Sequence, residues 1–186
     1  MNSQSIKILF GMIVILLLSG LVTVYVVQKA ENTEIDPSER RKDFQTVEGD
    51  IVLKSLSGDT VQIESYDEDI LIVVLWASWC PTCIDALNQL SQLGNDYANN
   101  EVSVLAINRS EDAALAQRYI EKMNIDTSGF VPLLDFNDSY FKNIDGFTMP
   151  EIIMYDKDGA IIEHQKGNYN HPRLLQQLEA TLLGVM

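Results

Sequence analysis

The run Ile70–Trp76 (ILIVVLW) is continuous, apolar and mostly β-branched, and it ends directly before Ala77-Ser78-Trp79-Cys80-Pro81-Thr82-Cys83. A strand with no polar alternation must be covered on both faces, which calls for a sheet with helices above and below it. The next segment, Pro81 to about Tyr97, has Leu87, Leu90, Leu93 and Tyr97 on one helical face. Proline is tolerated in its first turn because amides there lack partners anyway. The two cysteines of the chain therefore stand at a strand-to-helix junction.

Later segments repeat the pattern. Val102–Ile107 reads as a second buried strand. Ser110, followed by Glu111 and Asp112, opens a helix with Ala116, Tyr119, Ile120 and Met123 on one face. Val131–Leu134 is a third strand, and Pro172 starts a last helix with Leu175, Leu178 and Leu182 on one face. Two hairpins are expected, around Ser57-Gly58-Asp59 within Asp50–Ile63 and around Asp156-Lys157-Asp158-Gly159 between Glu151–Tyr155 and Ala160–Glu163. The class is α/β, with a mixed central sheet and helices on both faces.

Ahead of this domain, Ile8–Val27 is a stretch of twenty uncharged, mostly apolar residues. That is the length of a transmembrane helix, longer than the roughly 7 to 15 residues of a signal-peptide core, and Gln28 makes a poor cleavage context. Residues 28–43 are polar, contain Pro37 and read as a tether, leaving 44–186 as the domain. By bare count of basic residues the flanks, with Lys7 before the span and Lys29, Arg40, Arg41 and Lys42 after it, point the domain inward. Long C-terminal domains translocate largely regardless of charge, so the chemistry has to settle the side.

The chain carries 13 basic and 27 acidic residues. Lys7 and Lys29 are the only charges among the first thirty residues, so 31–186 have a net charge of −16. This acidic balance argues against an electrostatic footprint for nucleic acid. Two cysteines are too few for a disulfide scaffold or a four-ligand zinc site. Their C-x-x-C spacing lets one turn bring the sulfurs together, and the helix N-terminus favours a thiolate on Cys80, which would attack while Cys83 resolves.

WASWCPTC, VLAINRSED (104–112), VPLLD (131–135) and GFTMPEIIMYDKDG (146–159) together resemble the thioredoxin-like superfamily, and within it the membrane-anchored TlpA/ResA-type thiol-disulfide oxidoreductases. The resemblance implies a thioredoxin-like fold and exchange of disulfides with client proteins, with no bound cofactor or metal. It places the domain on the extracytoplasmic side of a bacterial cytoplasmic membrane. A membrane thiol carrier would donate electrons if the protein reduces its clients, and the haem-attachment cysteines of cytochrome c precursors are one client class. It also implies that Pro150 follows a cis peptide bond beside the cysteines, and that Trp79, Pro81, Thr82, Met149, Pro150 and Glu151 line the substrate surface. Val74 stands where many relatives have an acid or a polar residue, and Ala86 where this branch often has Glu. Protons for the second thiol then pass through water or through a substitute such as Asp85 or Glu151. Trp76 is expected in the core, and His164 and His171 at the surface or capping a helix. Two other classes remain open: a non-catalytic protein that holds a partner on this scaffold, whose role Cys80→Ser would spare, and a metal chaperone using both thiolates.

Overall fold

The computed structural model describes Met12 and residues 51–66, 68–98 and 102–184. Met12 apart, the expected span, the tether and the start of the domain at Phe44 lie outside the described residues. No helix among the described residues is long and apolar enough to cross a membrane. Pro37–Met186 form one compact unit.

The strands are β1 (Leu53–Ser55), β2 (Thr60–Val61), β3 (Ile70–Trp76), β4 (Val102–Arg109), β5 (Val131–Asp135), β6 (Glu151–Asp156) and β7 (Ile161–Lys166). The helices are α1 (Cys83–Asp96), α2 (Ala113–Lys122), α3 (Ser139–Asn143) and α4 (His171–Leu182). The seven strands form one sheet in the order β2-β1-β5-β4-β3-β6-β7. β3, β4 and β5 run parallel, while β1, β6 and β7 pair antiparallel with their neighbours.

Strand β3 is central and wholly buried, and its pleat divides it between two cores. Ile70, Ile72, Val74 and Trp76 pack with both cysteines and with Leu87 and Leu90 of α1, Ala116 and Ile120 of α2, and Leu174 and Leu178 of α4. Leu71, Val73 and Leu75 face the other way, toward Tyr140 and Phe141 of α3 and Leu53 of β1. The helices that connect parallel β3 to β4 and β4 to β5, α1 and α2, pack into the same core as the sulfurs and so lie on one face of the sheet.

Close packing fixes α1 against the loop before β5. A Cβ on Gly129 would lie 1.7 Å from the Ser91 carbonyl oxygen, and one on Gly94 1.8 Å from the Gly129 carbonyl oxygen, so neither position admits a side chain without movement.

Several boundaries differ from the sequence reading. α1 begins at Cys83 rather than Pro81, because Cys80–Cys83 first close a turn in which the Cys83 amide donates to the Cys80 carbonyl at 3.2 Å. α2 begins after Asp112, whose carboxylate accepts from the Leu115 amide at 2.7 Å, while Ser110 takes a left-handed conformation at φ 57°. The cap of α4 is Asn170, not His171. Helix α3 carries no sequence signal of its own. It is nucleated by the buried Asp135, which accepts from the Ser139 amide at 2.8 Å and hydroxyl at 2.9 Å, the Tyr140 amide at 2.9 Å and the Phe141 amide at 3.3 Å.

Candidate active site

The β3 backbone leaves the sheet at Trp76 and turns through Ala77–Cys80, with the Cys80 amide donating to the Ala77 carbonyl at 3.0 Å. This turn delivers Cys80 to the start of α1, where it is joined to Cys83 by a disulfide with Cα atoms 5.4 Å apart. Cys80 keeps 3% of its surface exposed and Cys83 none. An incoming sulfur therefore meets Cys80, and Cys83 reacts from behind it, the division of labour that the spacing implies.

The N-cap residue of α1, Thr82, makes no side-chain capping bond. Its hydroxyl lies 3.6 Å from the Cys80 sulfur instead. Since a disulfide sulfur has no proton, Thr82 is the donor, and the same hydroxyl is placed to donate to a thiolate on Cys80 after reduction. The unsatisfied amide end of the helix acts in the same direction.

The residues expected around the pair divide into three groups. Trp79 is 61% exposed, and Pro81 and Thr82 are also exposed, so the outer rim of the motif faces solvent. Met149 is half-buried and Pro150 buried, with the Met149–Pro150 peptide bond cis. β6 pairs antiparallel with β3 with Glu151 opposite Leu75, so the chain enters β6 at the sheet end where β3 leaves toward the cysteines.

Glu151 corrects the expectation. It is fully buried rather than lining a surface, and alternation along β6 puts it on the side of Ile153 and Tyr155, opposite Ile152 and Met154, which share a core with the sulfurs. Its Oε1 lies 3.3 Å from His164 Nε2, without hydrogen-bond alignment, and 3.5 Å from Lys166 Nζ. Its Oε2 accepts from the Phe147 amide at 3.3 Å. Close by, the Tyr140 and Tyr155 hydroxyls share a buried hydrogen bond of 2.7 Å. Burial pushes the Tyr140 hydroxyl well above 10, with Tyr155 and then Glu151 adding to it.

His164 is thus half-buried against a carboxylate rather than at the surface; burial lowers its pKa from 6.5, against the opposing pull of Glu151. His171 pairs its Nδ1 with the Tyr169 hydroxyl and is likewise lowered by burial. Asp85 is exposed at the first turn of α1. Val74 and Ala86 are fully buried and apolar, and Trp76 is core, stacked on Tyr119 at a centroid distance of 6.0 Å. Among the described residues, no group of three or more His, Cys, Asp or Glu side chains could hold a metal ion.

Two features escaped the sequence reading. Phe147 is 86% exposed, four residues before Glu151, on the segment that enters β6. The Glu111 carboxylate reaches across from the loop after β4 to Ser78. Neither exposure nor a contact 33 positions apart leaves a periodic trace in a sequence.

A disulfide-bonded Cys-x-x-Cys at the β3–α1 junction, with a cis-proline entering the neighbouring strand, is the arrangement that the comparison with known proteins extends. The Redoxin family pattern matches residues 38–182. The chain belongs to the Redoxin family. This Redoxin is similar to thiol-disulfide oxidoreductase ResA of Bacillus cereus, 21% identical over 93% of this chain and 95% of the relative. The ResA of Geobacillus thermodenitrificans is 23% identical over 97% of this chain and 98% of its own. Among solved structures, a secreted Mycobacterium tuberculosis disulfide oxidoreductase homologous to E. coli DsbE superposes with a TM-score of 0.58 at 22% identity, over 70% of this chain and 96% of that one. The exposed lipoprotein thioredoxin Etrx1 of Streptococcus pneumoniae gives 0.58 at 20% identity, over 70% and 98%. With these neighbours the fold is thioredoxin-like, and the Redoxin is of the TlpA/ResA type.

Proposed function

We propose that this Redoxin is a membrane-tethered thiol-disulfide oxidoreductase that exchanges disulfides with client proteins outside the cytoplasmic membrane of a bacterium. The observation that carries the reading is the bonded pair itself, with a slightly exposed Cys80 in front of a sealed Cys83 at a helix start. Thiol-disulfide exchange is also the activity named for the ResA relatives that match nearly the whole chain.

In the reducing direction the Cys80 thiolate attacks one sulfur of a client disulfide, and the client's other sulfur leaves as a thiolate. The Cys83 thiolate then attacks Cys80, re-forming the Cys80–Cys83 bond and releasing the second client thiol. The oxidising direction is the same sequence reversed. Two electrons move with each cycle, and the potential of the pair relative to its partners decides the direction. A run as a reductant draws electrons from a membrane thiol carrier, and haem-attachment cysteines of cytochrome c precursors are the clients that the resemblance favours. Trp79 and Phe147 offer exposed aromatic surface to a client chain at the edge where the motif emerges.

The tether reading is supported by the apolar Ile8–Val27 stretch and by the match to ResA relatives across 93 to 97% of this chain. A Cys83→Ser chain expressed in a bacterium should accumulate mixed disulfides that dithiothreitol releases, and Cys80 of a reduced Cys83→Ser chain should react with a membrane-impermeant maleimide on intact spheroplasts. Absence of trapped species removes the catalytic reading. Labelling only after lysis removes the outward placement.

A further inference from the structure

We propose that Glu111 is a positioning residue for the redox pair, acting through the turn that leads into Cys80. Its carboxylate takes three donors. Oε2 accepts from the Ser78 amide at 2.9 Å and from Asn108 Nδ2 at 2.7 Å, and Oε1 accepts from the Ser78 hydroxyl at 2.5 Å. Two of these bonds grip the residue two positions before Cys80. The turn's own backbone bonds, Cys80 to Ala77 and Cys83 to Cys80, leave the Ser78 amide free for Glu111.

Asn108 shows that this arrangement is built. It is fully buried and lies opposite Trp76 in the β3–β4 register, on the same sheet face as the sulfurs, yet its Oδ1 has no hydrogen-bond partner among the described residues. An apolar side chain would fill that place without the cost of an unsatisfied buried acceptor. What the amide supplies is its bond to Glu111, which makes a brace from β4 to the redox turn.

The brace matters most when the disulfide opens. In the oxidised protein the covalent bond itself holds Cys80 beside Cys83. In the dithiol that restraint is gone, and the Glu111–Ser78 bonds, together with the turn's own backbone bonds, continue to hold the turn and keep the sulfurs close. Loss of the brace loosens the reduced form more than the oxidised one, lowers the effective concentration of Cys83 toward Cys80, and makes the internal disulfide less stable. The potential then moves toward the oxidising end.

The inference rests on the exchange activity, so the test compares variants of the full chain in detergent against the parent. Each is equilibrated with glutathione buffers, and melting is followed in parallel. Glu111→Ala should lower the equilibrium constant for forming the internal disulfide about tenfold, a shift of about 30 mV for a two-electron couple. Ser78→Ala keeps the charge and removes one bond, and should lower the constant about threefold; Glu111→Gln should fall between these. Should Glu111→Ala fail to fold, the Ser78→Ala and Glu111→Gln constants carry the test. A melting change with the glutathione equilibrium within twofold of the parent overturns the inference in favour of a structural role. So does a shift in Glu111→Gln with none in Ser78→Ala, which would assign the effect to charge alone. A parent that does not titrate at all overturns the exchange reading itself.

Discussion

Asp135 holds a helix that the sequence does not announce, and its removal has a calculable cost. The carboxylate is fully buried at the end of β5 and accepts from two buried amides, Tyr140 and Phe141, and from the part-buried amide and hydroxyl of Ser139. Replacement by alanine strands the two buried amides, at about 1 to 3 kcal/mol each. The Ser139 groups can turn to water, and losing a desolvated carboxylate returns part of the cost, leaving a net destabilisation of about 2 to 4 kcal/mol. For a domain of this size that lowers the melting midpoint by roughly 10 °C. Asparagine keeps one acceptor oxygen and should cost about half as much. Urea unfolding of the unit from Pro37 onward, followed by circular dichroism, measures both. A loss below about 1 kcal/mol for Asp135→Ala would mean that the amides find other partners, and the explanation of α3 would be wrong.

Three further outcomes follow from the same geometry. Burial lowers the pKa of both His164 and His171 from 6.5, so the unfolded chain binds more protons than the folded one below about that pH. Their contribution to stability is complete above that pH and is lost as pH falls; the urea midpoint should drop between pH 7.5 and pH 5.5, and a rise would contradict the assignment. Thr82→Val removes the hydroxyl 3.6 Å from the Cys80 sulfur. A long, part-buried bond of this kind is worth about 0.7 kcal/mol, so iodoacetamide should alkylate reduced Cys80 about threefold more slowly at pH 7, and an unchanged rate would remove Thr82 from the site. Trp79→Ala should lower kcat/KM toward a protein disulfide about tenfold while sparing reaction with a small aromatic disulfide, because an exposed tryptophan at a docking edge acts on the partner rather than on the sulfurs. Equal losses on both substrates would place Trp79 in the chemistry instead.

The layered α/β architecture was legible because its signals are local. A continuous apolar run must be buried on both faces, as Ile70–Trp76 is, and leucines at helical spacing must face a core, as Leu87, Leu90 and Leu93 do. The cysteine pair was legible for the same reason, since its chemistry depends on three residues of spacing and a helix start. Contacts between distant segments were not legible. Asp135 capping α3, Glu111 reaching Ser78, and Glu151 turning away from the sulfurs all depend on which face of a strand a residue occupies after the sheet has assembled. Glu151 shows the limit most clearly: adjacency to Pro150 in the chain suggested adjacency to the sulfurs, but the two-residue alternation of β6 carries the carboxylate to the opposite core.

The most direct test of the whole account is a redox titration of Cys80 and Cys83 in the 186-residue chain against glutathione buffers, with free thiols counted by alkylation and mass. Reversible conversion between zero and two thiols per chain, as one two-electron transition between about −270 and −120 mV, is the predicted result. A pair that stays in one state across that range, or opens without closing again, would contradict it.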